Sequence, residues 1–101
     1  MEIEEISKVE ILDNDEMYGV LGSGGKPGYQ MIYREAADVY WDDDRKGFKA
    51  PAPKKWSHAD WFHHIVKVTW SCSIALKLMD STEWVNVPNE VKAEICAKQN
   101  T

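Results

Sequence analysis

Apolar and polar positions alternate along much of the chain. Val9 and Ile11 alternate with Lys8 and Glu10, and the Ile- and Val-rich stretch over 3–12 predicts a half-buried strand. Asp13, Asn14 and Asp15 form a turn cluster, and Met17 to Leu21 gives a second apolar run close enough to make a hairpin with the first. Residues 22–28, Gly-Ser-Gly-Gly-Lys-Pro-Gly, interrupt regular structure. Tyr29, Met31 and Tyr33 then alternate with Gln30, Ile32 and Arg34, which predicts a third strand over 29–34. Over 35–42 two patterns compete. Tyr33, Ala37, Tyr40 and Trp41 fall at helical spacing, whereas Val39, Tyr40 and Trp41 are good strand formers. The strand is preferred, with the Asp run at 42–44 and Gly47 as a turn and Phe48-Lys49-Ala50 as the returning arm.

Ala50-Pro51-Ala52-Pro53 reads as a short stiff linker. Ser57 is a good N-cap with Asp60 at the third helical position, so a short helix is expected near 58–64. The strongest pattern follows. Val66, Val68, Trp70, Cys72, Ile74, Leu76 and Leu78 alternate with polar or small residues at period 2 and predict one long strand over 66–78, bent or bulged near 71–73. A turn at 80–82 and an extended piece at 84–87 lead into a final helix from Pro88, whose buried stripe is Val91 and Ile95. The fold class is therefore α+β: a curved, mainly antiparallel sheet of about five or six strands, with a short central helix and a C-terminal helix packed on it. The length prior makes residues 1–101 a single domain.

That length excludes a dinucleotide-binding fold with a substrate domain and a β/α barrel. No apolar run approaches the roughly 20 residues that cross a bilayer, so no membrane partner is expected. Met1-Glu2-Ile3-Glu4-Glu5 is the reverse of the basic start of a secretory signal, which places the chain in a cytoplasm, with Cys72 and Cys96 reduced. The net charge of -5 is a sum of opposing patches. Acids dominate residues 1–16 and 42–44, while 45–55 carries Arg45, Lys46, Lys49, Lys54 and Lys55 with no acid. Duplex nucleic acid is a poor partner for such a chain.

Two constellations invite chemistry. The glycine-rich segment fails as a phosphate loop, because Val20 stands at the first Gly position and Pro27 at the Ser/Thr position, so it reads as a hairpin connection. His58, Asp60, His63 and His64 cluster within seven residues, but the two-His i, i+4 spacing of helical metal sites is absent. No metal or cofactor is expected. A nucleophile–base–orienter set drawn from Cys72, His63 or His64, and Asp60 has no local signature, so no catalytic residue is assigned.

Aromatic residues make up 11% of the chain, more rings than so small a core readily holds. Some must pack the core; the others are candidates for an interface or a ligand pocket. The candidates are Trp41, Trp56, Trp61, Trp70, Trp84, Tyr29, Tyr33 and Tyr40, with His63 and His64 beside them. Trp41 and Trp70 are expected on strand faces that look toward the core.

The stretch Thr82-Glu83-Trp84-Val85-Asn86-Val87-Pro88-Asn89-Glu90-Val91-Lys92, in a short acidic chain, resembles the small α+β proteins carried on bacterial integron gene cassettes. That resemblance implies a compact stand-alone domain, often self-associating, with no assigned chemistry. Three functions are open at this point. The first is a non-enzymatic binding module that forms a homodimer through an aromatic face or strand edge. The second is an acidic immunity- or antitoxin-like partner of a basic protein. The third is a small-ligand binder or minor enzyme with a Trp/Tyr-lined pocket near His63 and His64.

Overall fold

The computed structural model describes residues 1–35 and 38–99. Five strands form one sheet in the order β3-β4-β2-β1-β5, with β1 at Glu2–Ile11, β2 at Met17–Leu21, β3 at Tyr40–Asp42, β4 at Gly47–Ala50 and β5 at Ile74–Val85. Three of the four pairings are antiparallel; the β1–β5 pairing is parallel. A 3₁₀ helix spans Pro27–Glu35, and two α-helices, α1 at His58–Ser71 and α2 at Asn89–Gln99, complete the α+β fold. Helix α1 is the crossover that carries the chain from β4, on one side of the β2–β1 hairpin, to β5 on the other. Among the described residues no helix is long and apolar enough to cross a membrane.

The expected strand over 66–78 is replaced by two elements. Helix α1 continues to Ser71, and only from Ile74 is the chain extended. Ser57 accepts from the Asp60 backbone N–H while the Asp60 side chain accepts from the Ser57 N–H, a capping box that nucleates the helix. Once started, the helix buries Ala59, Phe62, Ile65, Val68 and Thr69, a stripe at three- and four-residue spacing. The period-2 reading put Trp70 inside; on the helix it is 59% exposed. The helix ends at Cys72, whose N–H reaches the Thr69 carbonyl, and Ser73 turns the chain with φ 64. The two alternating runs meet at this turn and belong to different elements.

The expected third strand over 29–34 is also corrected. Pro27 starts a 3₁₀ helix in which Tyr29 and Ile32 are buried and Met31 and Tyr33 exposed. Residues i and i+3 eclipse in such a helix, so the buried pair lies three apart and not two. The β3–β4 hairpin, its Asp turn and the final helix form as expected, with Ile95 fully buried and Val91 half-buried. Ala37, part of the competing helical spacing, lies outside the described residues.

Strand β1 carries a register shift between Ile6 and Lys8. Before it Glu4 and Ile6 point inward; after it Val9 and Ile11 do, so one bulged residue changes the parity of the buried face. On β5, Leu78 pairs with Ile6 and Glu83 with Lys8, which leaves 79–82 opposite Ser7 alone. The turn expected at 80–82 is this excursion inside a single strand. Buried Thr82 closes it, donating to the Ile6 carbonyl at 2.7 Å and accepting from the Met79 N–H at 2.9 Å.

Two buried phenols link elements far apart in sequence. Tyr18 donates to Asp42 at 3.0 Å, and burial, then Asp42, pushes its pKa up to about 12. Burial and the neighbouring Glu4 carboxyl raise the Tyr29 phenol as well. Folding tightens the hold of both groups on their protons, so the stability they contribute is complete below the unfolded phenol value of about 10 and is lost as pH rises through the folded values. Alkaline titration should therefore give loss of far-UV circular dichroism above about pH 10 together with late tyrosinate absorbance. Full ionisation of all four tyrosines with an intact dichroism spectrum would contradict this coupling.

Candidate functional site

The ten aromatic and histidine candidates separate into distinct places. Tyr29 and Trp41 pack with Phe48 in the core, the Trp41 ring 5.0 Å from Phe48 and 5.5 Å from Tyr29. Gly25, at φ +78, lies directly against Trp41, and a Cβ there would stand 2.3 Å from the indole. The glycine loop is therefore a close-packed cover over Trp41, which requires a residue that accepts positive φ and has no side chain. Trp84 is half-buried on β5 with the Lys92 ammonium 5.4 Å from its ring centre. Tyr33 and Trp70 are exposed in separate places.

His63 and His64 diverge. Both ring nitrogens of His63 are buried without a hydrogen-bond partner. Burial pushes its imidazole below the usual value; the Ile95 backbone, without good hydrogen-bond geometry, and Asp60 and Glu94 pull the other way, while Lys98 adds to the depression. His63 belongs with helix α2. His64 instead joins Trp56 and Trp61, its ring 4.9 Å from the first and 5.5 Å from the second.

This second cluster follows from the helix start. With Ser57 as N-cap, Trp56 is the residue before the cap and Trp61 the fourth helical residue, the two positions of a hydrophobic staple. Their ring centres are 4.8 Å apart. One helical turn further, His64 sits over Trp61. Tyr40, at the start of β3, and the stiff Pro51 and Ala52 bring a second wall, and Asp38, Lys54 and Lys55 complete a groove of about 680 Å³. That volume is within the usual range of small-ligand sites. Trp56 and Tyr40 are exposed, Trp61 and His64 half-buried, and the buried Trp61 Nε1–H has no acceptor. Among the described residues, Lys54 and Lys55 make no ion pair.

Four of the ten candidates, Tyr40, Trp56, Trp61 and His64, thus share one site. The sequence reading missed that Lys54, Lys55 and Asp38 line it. A signal was present: Trp56-Ser57, then Asp60-Trp61, is the sequence form of a capping box with a staple. Among the described residues no three His, Cys, Asp or Glu side chains come together to hold a metal ion.

Fold and groove together define a small α+β protein whose central helix opens beside an aromatic surface cleft. Residues 7–81 match the family model of the integron cassette protein Hfx_Cass5, and the chain belongs to that family. A solved structure of the integron cassette protein Hfx_Cass5, from the mobile metagenome of the North West Arm sewage outfall, is 31% identical over 100% of this chain and 99% of its own, with a TM-score of 0.46. Among curated proteins none matches the chain. The resemblance to integron cassette proteins thus holds, although the matched residues end at 81, just before the stretch over 82–92.

Proposed function

We propose that this integron cassette protein is a non-catalytic binding module and that the Tyr40–Trp56–Trp61–His64 groove is its ligand site. The supporting observation is the convergence of four rings from two chain segments on one groove. A flat ligand entering there would stack on large, stiff side chains that are already held by the staple and by the Pro-rich linker, so little ordering entropy opposes binding. Fused-ring compounds, followed through the Trp indole N–H signals in ¹⁵N–¹H spectra, should move Trp56 and Trp61. Trp56→Ala should weaken that binding about tenfold, as the loss of one stacked ring implies. Tyr33→Ala, outside the groove, should leave it unchanged. Indole signals that stay still with every fused-ring compound would remove the reading.

Self-association as a homodimer is a second reading. It is supported by exposed Met1 and Met31, which line a separate concavity of about 470 Å³ with Cys72 and Ile74. Sedimentation as a strict monomer at high micromolar concentration would exclude it. The acidic-partner reading has less support, because several of its acids are engaged internally. Glu2 pairs with Lys26, Glu10 with Arg45, Glu16 with Lys49 and Asp43 with Lys46. Asp42 accepts from Tyr18 and from the Asp44 and Arg45 backbones.

A further inference from the structure

The groove has a charge sign as well as a shape. We infer that it selects planar aromatic anions: a flat ring that stacks on Trp56 and Trp61, carrying a carboxylate or phosphate held by Lys54 and Lys55. The inference rests on the binding reading above and goes further by fixing the ligand class.

Two observations carry it. First, the walls that a ring would touch are aromatic faces and the apolar Pro51 and Ala52, which accept any flat π system. Rings alone would also welcome a cation, since the face of an indole is negative. Second, the mouth opposes that choice. Lys54 and Lys55 line the groove without ion-pair partners among the described residues, against the single carboxylate of Asp38. Lys8, Lys26, Lys46, Lys49 and Arg45 are paired with acids, whereas the adjacent ammonium groups of Lys54 and Lys55 stand beside the stacked rings without one among the described residues.

Both sources of this chemistry are small: an aromatic carboxylic acid, or a nucleoside monophosphate whose base stacks while its phosphate meets the lysines. Neither needs a duplex. The separate Met1–Met31 concavity lacks this combination, since its lining holds a single aromatic ring, Tyr29, which is buried and already donates to Glu4.

The test uses one ring with three charges. Indole, indole-3-acetate and tryptamine are titrated into the full chain, with adenosine monophosphate and inorganic phosphate as further arms, and the Trp56 and Trp61 N–H shifts are read. Indole-3-acetate or adenosine monophosphate should bind about tenfold more tightly than indole, and tryptamine more weakly than indole. The stronger of the two anionic arms identifies the source, and phosphate alone should bind too weakly to move either signal. Added salt should erase the anion's advantage, and the surface double variant Lys54→Gln/Lys55→Gln should reduce it to the level of indole. Equal binding of all three indoles, or a preference for tryptamine, overturns the charge selection and leaves the groove as a ring site. Failure of every ring to bind overturns the groove reading and this inference together.

Discussion

Phe48→Ala should lower stability by about 3–5 kcal/mol, the usual range for emptying a fully buried aromatic site. Phe48 is completely buried in β4, the strand between β3 and β2, and its ring meets both Trp41 and Tyr29, at 5.0 and 5.7 Å. Removing it leaves a void that those two rings cannot fill, because each is held elsewhere: Trp41 by Gly25 and Tyr29 by Glu4. Domains of this size are stable by roughly 5–15 kcal/mol, so the variant should be partly unfolded at 37 °C. Its thermal midpoint should fall by roughly 15–30 °C. Phe48→Leu keeps most of the volume and should lose far less. A urea midpoint for Phe48→Ala within error of the parent chain would mean that β4 is not the centre of this core.

The hairpins, the Asp turn and the last helix were legible in the sequence because local chemistry and tertiary packing agree there. At Ser57 they also agree, yet the helix was expected to be short. The reason is the run from Val66 to Leu78. Its alternation is real but has two causes. Up to Ser71 the apolar residues that matter, Phe62, Ile65 and Val68, obey helical spacing, and Trp70 adds an apolar residue that faces water. From Ile74 the alternation is that of a strand. Periodicity does not mark the junction; Ser73, a non-glycine residue at positive φ, does, and nothing in its identity announces that conformation.

The 3₁₀ helix over Pro27–Glu35 was hidden for a related reason. Its four apolar or aromatic residues sit two and three apart at once, and the strand reading takes the first spacing. The register shift at Ser7 and the excursion at 79–82 are long-range features, set by how β1 and β5 align across more than seventy residues of chain. The groove was legible in part. The excess of rings pointed to surplus aromatics, and His64 was placed beside them, but which rings converge depended on the staple at the α1 start and on the β3 position of Tyr40.

The largest polar effect should come from Glu4. Its carboxyl is buried beneath the glycine loop, where one oxygen accepts from Ser23 Oγ at 2.6 Å and the other from the Tyr29 hydroxyl at 2.5 Å. Ser23 Oγ in turn accepts from the Gly25 N–H at 3.0 Å, so this one side chain holds both the loop and the 3₁₀ helix against β1. Tyr29→Phe removes one donor, leaves the ring packing in place and should cost about 2–3 kcal/mol, the range for a buried bond to an acidic group. Glu4→Leu should cost a similar amount, because the Tyr29 hydroxyl then loses its acceptor in an apolar site. The double variant should cost much less than the sum, with a coupling of at least about 1 kcal/mol, since neither orphaned group is left behind. Chemical denaturation of the four chains measures that coupling directly. Additive losses would show that Glu4 and Tyr29 act independently. A coupled pair would make the glycine loop, unremarkable as a motif, the element that locks Trp41 and the 3₁₀ helix onto the sheet.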